Sequence, residues 1–346
     1  LSKTMEATIA LGAIPNVVPP RVVKTTQIED FQDTAEAREE LIPWLMASDQ
    51  EPLTHTQWKQ RLAHWWDENP FADMAPRRGW TLRHQGRIVG FMALIPTCYA
   101  IEGRAAPSYI ASTWRVDEPH RNRSLPMLMK LRPISATTLI SDTTAIPDVQ
   151  LLLKRSNWIS CPNIQRHFVA MGMPGRILQR RSWPELSPGV SLTRDPRDVF
   201  SVSSPCSSST GIEKWITPDY LRWFAAGTMR RHEFVGAIDS SGCLTSYLFL
   251  TPKRVRGIPA WMEIDHFTTH RTPQELHALV GALVREPTLL GRERLLSLAA
   301  FPGDTAWDDT PSLHQRREHV WHFFSIPEAY RSLVKRTVMA EGDLGL

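Results

Sequence analysis

Apolar positions recur along the chain with two periods, and the switches between them divide it into elements. Helical spacing over residues 30–47 and 53–69 predicts two helices before the first sheet, with Thr54 as N-cap of the second. Trp58, Leu62, Trp65 and Trp66 fall on one side of that helix. Residues 79–93 give two strand-like runs about a His84-Gln85-Gly86 turn, and 95–99 extends the second run. A turn at 101–104 leads into a strand over 109–116, rich in β-branched and aromatic residues and ended by Pro119. Leu125, Leu128 and Leu131 then suit one helix face, after which 138–144 reads as a short strand and 149–155 as a short helix.

Residues 183–211 are rich in Pro, Ser and Gly, lack an apolar period and read as a linker. Beyond them a helical stretch over 213–229 precedes strands over 234–239 and 243–251 about an Asp-Ser-Ser-Gly turn. A basic turn at 253–257, a strand over 261–267 and a helix over 273–284 follow. Gly86 matches Gly242 and Gly103 matches Gly257, offsets of 156 (242 − 86) and 154 (257 − 103) residues, with the same order of elements around each. This predicts a duplicated α/β unit; one continuous sheet with two ordinary hairpins is the alternative. The expected organisation is a flexible arm (1–24), an N-terminal domain (25–182), a linker (183–211) and a C-terminal domain (212–346).

Composition narrows the class. An apolar fraction of 42% and a charged fraction of 22% over 346 residues describe a soluble globular protein with a substantial core. The net charge of +4 suits an acidic partner such as a nucleotide cofactor or an acidic carrier protein, and does not demand nucleic acid. Cys98, Cys161, Cys206 and Cys243 are too scattered for a disulfide framework, so a reducing, cytoplasmic compartment is expected. No stretch approaches a membrane span; 7–20 is short and broken by prolines. The segment 107–131 combines a strand end, basic residues and a helix start, where free N–H groups and the helix dipole favour an anion such as phosphate.

On these residues the chain resembles the GNAT superfamily of acyl-thioester-dependent acyltransferases, as a tandem pair. Gln85-Gly86-Arg87-Ile88-Val89-Gly90-Phe91 is similar to that family's second hairpin. Trp114-Arg115-Val116-Asp117-Glu118-Pro119-His120-Arg121 resembles the end of its fourth strand and the lead into its pyrophosphate loop, and Arg155-Ser156-Asn157-Trp158 stands where members end a helix. The resemblance implies an α/β (α+β) fold of two GNAT-like domains, each a mixed, mostly antiparallel sheet flanked by helices. It also implies a V-shaped opening between 110–116 and 139–144 for a pantetheine arm. Backbone groups at Trp114 and Val116 would pair with that arm, and Arg121, Asn122, Arg123, Ser124 and Leu125 would hold phosphate. The family's two small loop positions are Ser124 and Pro126 here, and Pro126 removes an N–H. An acyl-phosphopantetheine on an acyl carrier protein, with its single phosphate, is therefore nearly level with acyl-CoA as the donor expected. Leu153 replaces the tyrosine that protonates the leaving thiolate in many members, which leaves solvent or Ser156 for that step.

Four further groups bear on chemistry. A regular strand at 261–267 puts Glu263 and Asp265 on one face, where like charge would raise one as a base; the alternative is a solvated face. Asp142, at the end of the fifth strand, is a carboxylate for catalysis or a cap for the following turn. His314, His319 and His322 do not share one helical face, so no metal site is expected. Trp65, Trp66 and Trp80 are core residues or the lining of an acyl pocket. The expected function is transfer of an acyl group from a thioester to an amine of a small molecule or sugar, with the second repeat completing the acceptor side. A Fem-type aminoacyl-tRNA-dependent transferase and a catalytically silent scaffold for a carrier protein are the alternatives.

Overall fold

The computed structural model describes residues 26–48, 53–172, 183–202, 211–227, 229, 231–268, 273–291 and 294–342. The predicted arm, and 203–210 of the predicted linker, lie outside the described residues. The first element is a strand, β1 (Thr26–Asp30), paired antiparallel with β2 (Gly79–His84). Only helices were expected ahead of the sheet; β1 carries one apolar residue, Ile28, and so shows no alternation to read. Helices α1 (Ala35–Ser48) and α2 (His55–Trp66) follow, and α2 opens with a capping box. Thr54 Oγ1 accepts from Gln57 N at 3.3 Å while Thr54 N donates to Gln57 Oε1 at 2.9 Å. Trp58, Leu62, Trp65 and Trp66 are buried as expected. Trp65, Trp66 and Trp80 are packed solid, with Trp66 Nε1 donating to Leu94 O at 3.1 Å, so they line no acyl pocket.

β2, β3 (Arg87–Ile101) and β4 (Arg104–Val116) form a meander. Its turns have successive positive φ values, 52° and 79° at Gln85-Gly86 and 52° and 75° at Glu102-Gly103, as two-residue hairpins require. The single helix expected after β4 is broken into α3 (Ser124–Met129) and α4 (Leu131–Ser135), because Pro133 cannot donate back to the preceding turn. Its buried face is Met127, Leu128 and Leu131, and Leu125 is left 47% exposed. β5 (Ile140–Asp142), α5 (Pro147–Arg155) and β6 (Ile159–Ala170) complete the first half.

The predicted linker contains two short strands, β7 (Ser191–Thr193) on β10 and β8 (Ser201–Val202) on β11, and buries Trp183 and Val199. Instead of one helical stretch, β9 (Gly211–Lys214) precedes α6 (Pro218–Ala225). β10 (Glu233–Ile238), β11 (Cys243–Val255), β12 (Ile258–Thr268), α7 (Pro273–Arg285), β13 (Leu295–Ala300), β14 (His314–Ser325) and β15 (Val334–Lys335) follow. The three histidines of 314–322 therefore lie on a strand. Among the described residues, no group of His, Cys, Asp and Glu is placed to hold a metal, and no helix is long and apolar enough to cross a membrane.

The strands join in one sheet whose main path runs β1-β2-β3-β4-β5-β14-β6-β13-β12-β11-β10-β7. β4 and β5 pair in parallel, as do β12 and β13. The last long strand of each half crosses over: β14 lies between β5 and β6, and β6 lies between β14 and β13. Helices α1, α2 and α6 share one core on one side, built with Phe91, Ile95, Tyr247 and Phe249. On the other side α3 to α5 cover the first half, and α7 covers the second.

Gly79 fixes the entry into β2. Its φ is +130°, and a Cβ there would stand 2.0 Å from Met92 O across the hairpin. Gly79→Ala is expected to destabilise the chain by about 2–4 kcal/mol, read as a lower urea midpoint at unchanged slope.

Candidate functional site

The parallel contact between β4 and β5 is short. Tyr109 faces Ile140 and Ile110 faces Ser141, and then the strands part. β4 carries a bulge just beyond, where Met92 of β3 faces both Thr113 and Trp114 and Thr113 takes φ 51°. A β-branched residue at positive φ is strained, so the surrounding pairing must hold it there. The bulge turns Trp114 and Val116 toward the α3–α5 core, while Arg115 faces the other way and donates to Ser48 O at 2.9 Å. From Ala111 onward the edge of β4 facing β5 has no strand partner among the described residues.

The second half repeats the parting but fills it. β12 and β13 pair over Ala260–Leu295, Trp261–Leu296 and Met262–Ser297. Beyond this, Ala299 N donates to the Glu263 carboxylate at 2.7 Å. Glu263 also meets His266 Nδ1 at 3.1 Å, and His266 Nε2 lies 3.3 Å from Asp304 Oδ2. Glu263 and His266 are 1% and 3% exposed, so this plug is dry. Burial works against the imidazolium, but Asp304 and Glu263 outweigh it and raise His266 to about 9.

Glu263 and Asp265 do not share a face, and neither is solvated. The register of β12 against β11 shifts at Ile264, so Glu263 stands opposite Leu250 and Asp265 opposite Phe249, on opposite sides of the sheet. Asp265 points to the side of α6. Its Oδ2 accepts from Tyr220 Oη at 3.0 Å and Tyr247 Oη at 3.1 Å and lies 3.7 Å from Lys214 Nζ. Burial raises the Asp265 carboxyl against the pull of Lys214 and His266, so its carboxylate is a stronger base than usual.

Asp265 lines a small, partly open pocket together with Glu213, Lys214, Ile216, His266, Arg336, Val338 and Glu341. Glu341 closes it. Its carboxylate accepts from Lys335 Nζ at 2.8 Å and from the Tyr99 hydroxyl, and its carbonyl accepts from Ser141 Oγ at 2.7 Å. Burial pushes the Glu341 carboxyl up, but Lys335 and Lys214 outweigh it and hold it below the usual range. Ser141 is the last residue of β5 paired with β4. The pocket wall is thus tied to the point where the first opening begins.

No protein-family model matches the sequence, and no curated protein matches it significantly. Solved structures do. A conserved Enterococcus faecalis V583 protein of unknown function superposes at TM-score 0.58 and 11% identity, over 87% of this chain and 72% of that one. GCN5-related N-acetyltransferases from Anabaena variabilis (0.57, 9%, covering 87% and 72%) and Kribbella flavida (0.53, 10%, covering 87% and 71%) superpose similarly. The chain has the GCN5-related N-acetyltransferase fold. Within this GNAT fold the predicted site residues fall unevenly. Arg121, Asn122 and Arg123 are exposed in a helical turn (Glu118–Arg123), and Ser124 and Leu125 begin α3, just past the C-terminal end of β4. Asp142 is 8% exposed and accepts from Thr144 N at 3.0 Å, the capping arrangement. Ser156 caps the C-terminus of α5, exposed, and Leu153 is fully buried under the sheet. Because α5 runs back from the end of β5, Ser156 lies at the far end of the helix from the opening. Sequence reasoning missed Lys214, Tyr220, Tyr247, Lys335, Arg336 and Glu341, which meet from distant parts of the chain.

The buried imidazoles set opposite pH slopes. Burial holds His322, 3% exposed, down to about 4. The unfolded chain therefore takes up a proton between pH 6.5 and 4 that the folded one refuses, and stability falls by roughly 2–3 kcal/mol over that window. His266 is raised, so its contribution is complete below pH 6.5 and lost as pH rises through 9. Urea unfolding from pH 4 to 9.5 should show a maximum between these limits, and His322→Gln should flatten the acid side alone.

Proposed function

We propose that the protein is an N-acyltransferase that moves an acyl group from acyl-CoA, or from an acyl-phosphopantetheine on a carrier protein, to an amine of a small molecule or sugar. One observation carries this reading: the first parallel strand pair parts after Ile110, at a bulge in β4, near a pocket that holds a carboxylate of raised basicity. The two halves are read as tandem GNAT-like units, the first (25–182) serving the donor and the second (212–346) the acceptor, with 183–211 joining them. In support, the two parallel pairs, their bulges and the crossing of β6 and β14 correspond.

The pantetheine arm of the donor adds along the open edge of β4, its amides pairing with backbone groups near Trp114 and Val116. Arg121, Asn122, Arg123, Ser124 and Leu125 stand at the end of that edge, where guanidinium groups and the Ser124 hydroxyl meet phosphate. Asp265 takes a proton from the acceptor ammonium, and the freed amine nitrogen attacks the thioester carbon. The C–S bond breaks as the amide forms, the nitrogen gives up its second proton to solvent, and the thiolate leaves and takes a proton from solvent. Glu263, bonded to Ala299 N, occupies the second opening, and in this reading only the first takes a donor. Asp142 and Ser156 have structural roles.

Acyl-CoA and acyl-carrier donors titrated against a panel of amines, with thiol release followed, should show acceptor-dependent turnover; no release and no donor binding would sink the reading. Asp265→Asn should lower kcat on the order of 10²-fold. Replacing Arg121 and Arg123 together by Ala should weaken donor binding by about 10- to 100-fold; unchanged donor affinity would make this stretch a surface turn.

A further inference from the structure

The net charge is not spread evenly along the chain. Residues 121–155 carry six Lys and Arg against two Asp, a net +4 (6 − 2), which equals that of the whole chain (40 − 36), so the rest is balanced at 34 against 34. Asp142 is buried and caps Thr144 N, which leaves Asp148 as the one exposed acid of the segment. Arg121, Arg123, Lys130, Arg132, Lys154 and Arg155 are all exposed, and none forms an ion pair among the described residues. Elsewhere Arg83, Arg194, Arg222 and Arg231 each meet a carboxylate within 2.8 Å. Cations gathered on one face repel one another unless an anionic partner covers them.

The same segment exposes apolar side chains. Leu125 and Met129, four residues apart on α3, face away from the sheet, as Met127, Leu128 and Leu131 face into the core. Ile146, which precedes α5, and Leu151 within it are exposed too, while Leu153 is buried in that same core. These four are 42–63% exposed. Because α3, α4 and α5 pack into one core on one side of the sheet, their outward faces form one surface, which apolar tips and cations share.

Two kinds of partner meet such a face, an acidic protein and an anionic bilayer. Single apolar tips on convex helices match poorly the close-packed, lysine-poor centre of a protein interface. In a headgroup layer they reach the acyl boundary, and the long basic side chains beside them keep their charge among phosphates. We infer that the outward face of α3–α5 docks on an anionic lipid surface. The inference goes beyond the acyltransferase reading and does not rest on it.

Sedimentation of the full chain with vesicles of phosphatidylcholine and phosphatidylglycerol in equal parts, against pure phosphatidylcholine, tests it with no donor present. Binding to the anionic vesicles should be at least about tenfold tighter and should weaken as salt rises. Lys130→Gln with Arg132→Gln, and separately Lys154→Gln with Arg155→Gln, should each lower it on the order of tenfold. Met129→Ser with Leu151→Ser should lower it severalfold and leave its salt dependence unchanged. Lys59→Gln on α2, across the sheet, with Arg197→Gln in the second half should change it little. All these positions are exposed, so an unchanged urea midpoint will show each variant folded. No preference for anionic vesicles, or a comparable loss from Lys59→Gln with Arg197→Gln, overturns the inference. Full binding after the apolar pair or both basic pairs are replaced overturns it as well, as does binding to an acidic carrier protein with none to vesicles.

Discussion

A carboxylate taken wholly out of water is tolerated only when cations and donors surround it, and Glu341 is such a group. Its partners come from across the chain: Tyr99 from β3, Ser141 from β5, Lys335 from β15. Satisfying that one charge draws the C-terminal segment over the middle of the sheet and fixes where it crosses. Ala340 then packs among the residues of α2 and α6, and Lys214 reaches its carbonyl. Gly342 fits against Thr143, where a Cβ would meet the threonine hydroxyl. The pocket has a wall because this anion has nowhere else to be neutral.

The two parallel strand pairs part in similar ways and end differently. In both, a parallel pair separates near a bulge and its strand-to-strand hydrogen bonding ends there. In the second half a side chain supplies the partner, Glu263 to Ala299 N, and a buried imidazolium with Asp304 balances its charge. In the first half the strand pairing of β4 with β5 ends at Ile110–Ser141 and no such side-chain plug follows among the described residues. The difference between a closed half and an open one is a few side chains.

Much of the fold was legible because local rules set it. The Gln85-Gly86 and Glu102-Gly103 turns, the Thr54 cap and the Trp58-Leu62-Trp65-Trp66 stripe are each decided within a few residues. What escaped is non-local. β14 reads His-Gln-Arg-Arg-Glu-His at its start, a polar run with no alternation, and becomes a central strand through pairing with β6 and β5. The shared face expected for Glu263 and Asp265 fails because one register shift at Ile264 inverts parity, and no residue there announces a bulge. Asp265 was visible as an acid in an apolar strand; Lys214, Tyr220, Tyr247 and Glu341, which give it its environment, lie in segments that share no motif.

The crossing of β6 and β14 has a consequence for how the chain is made. After β6 leaves the ribosome, β5 and β6 each carry an edge whose native partner, residues 314–325, has not yet been synthesised. The first half therefore cannot finish its sheet on its own, and these edges stay open until β14 arrives. Such long-range closure slows folding, since without β14 both β5 and β6 of the first half lose a partner. β14 is thus a late keystone of the sheet, and removing residues 314–325 would be felt first in the half that was made earliest.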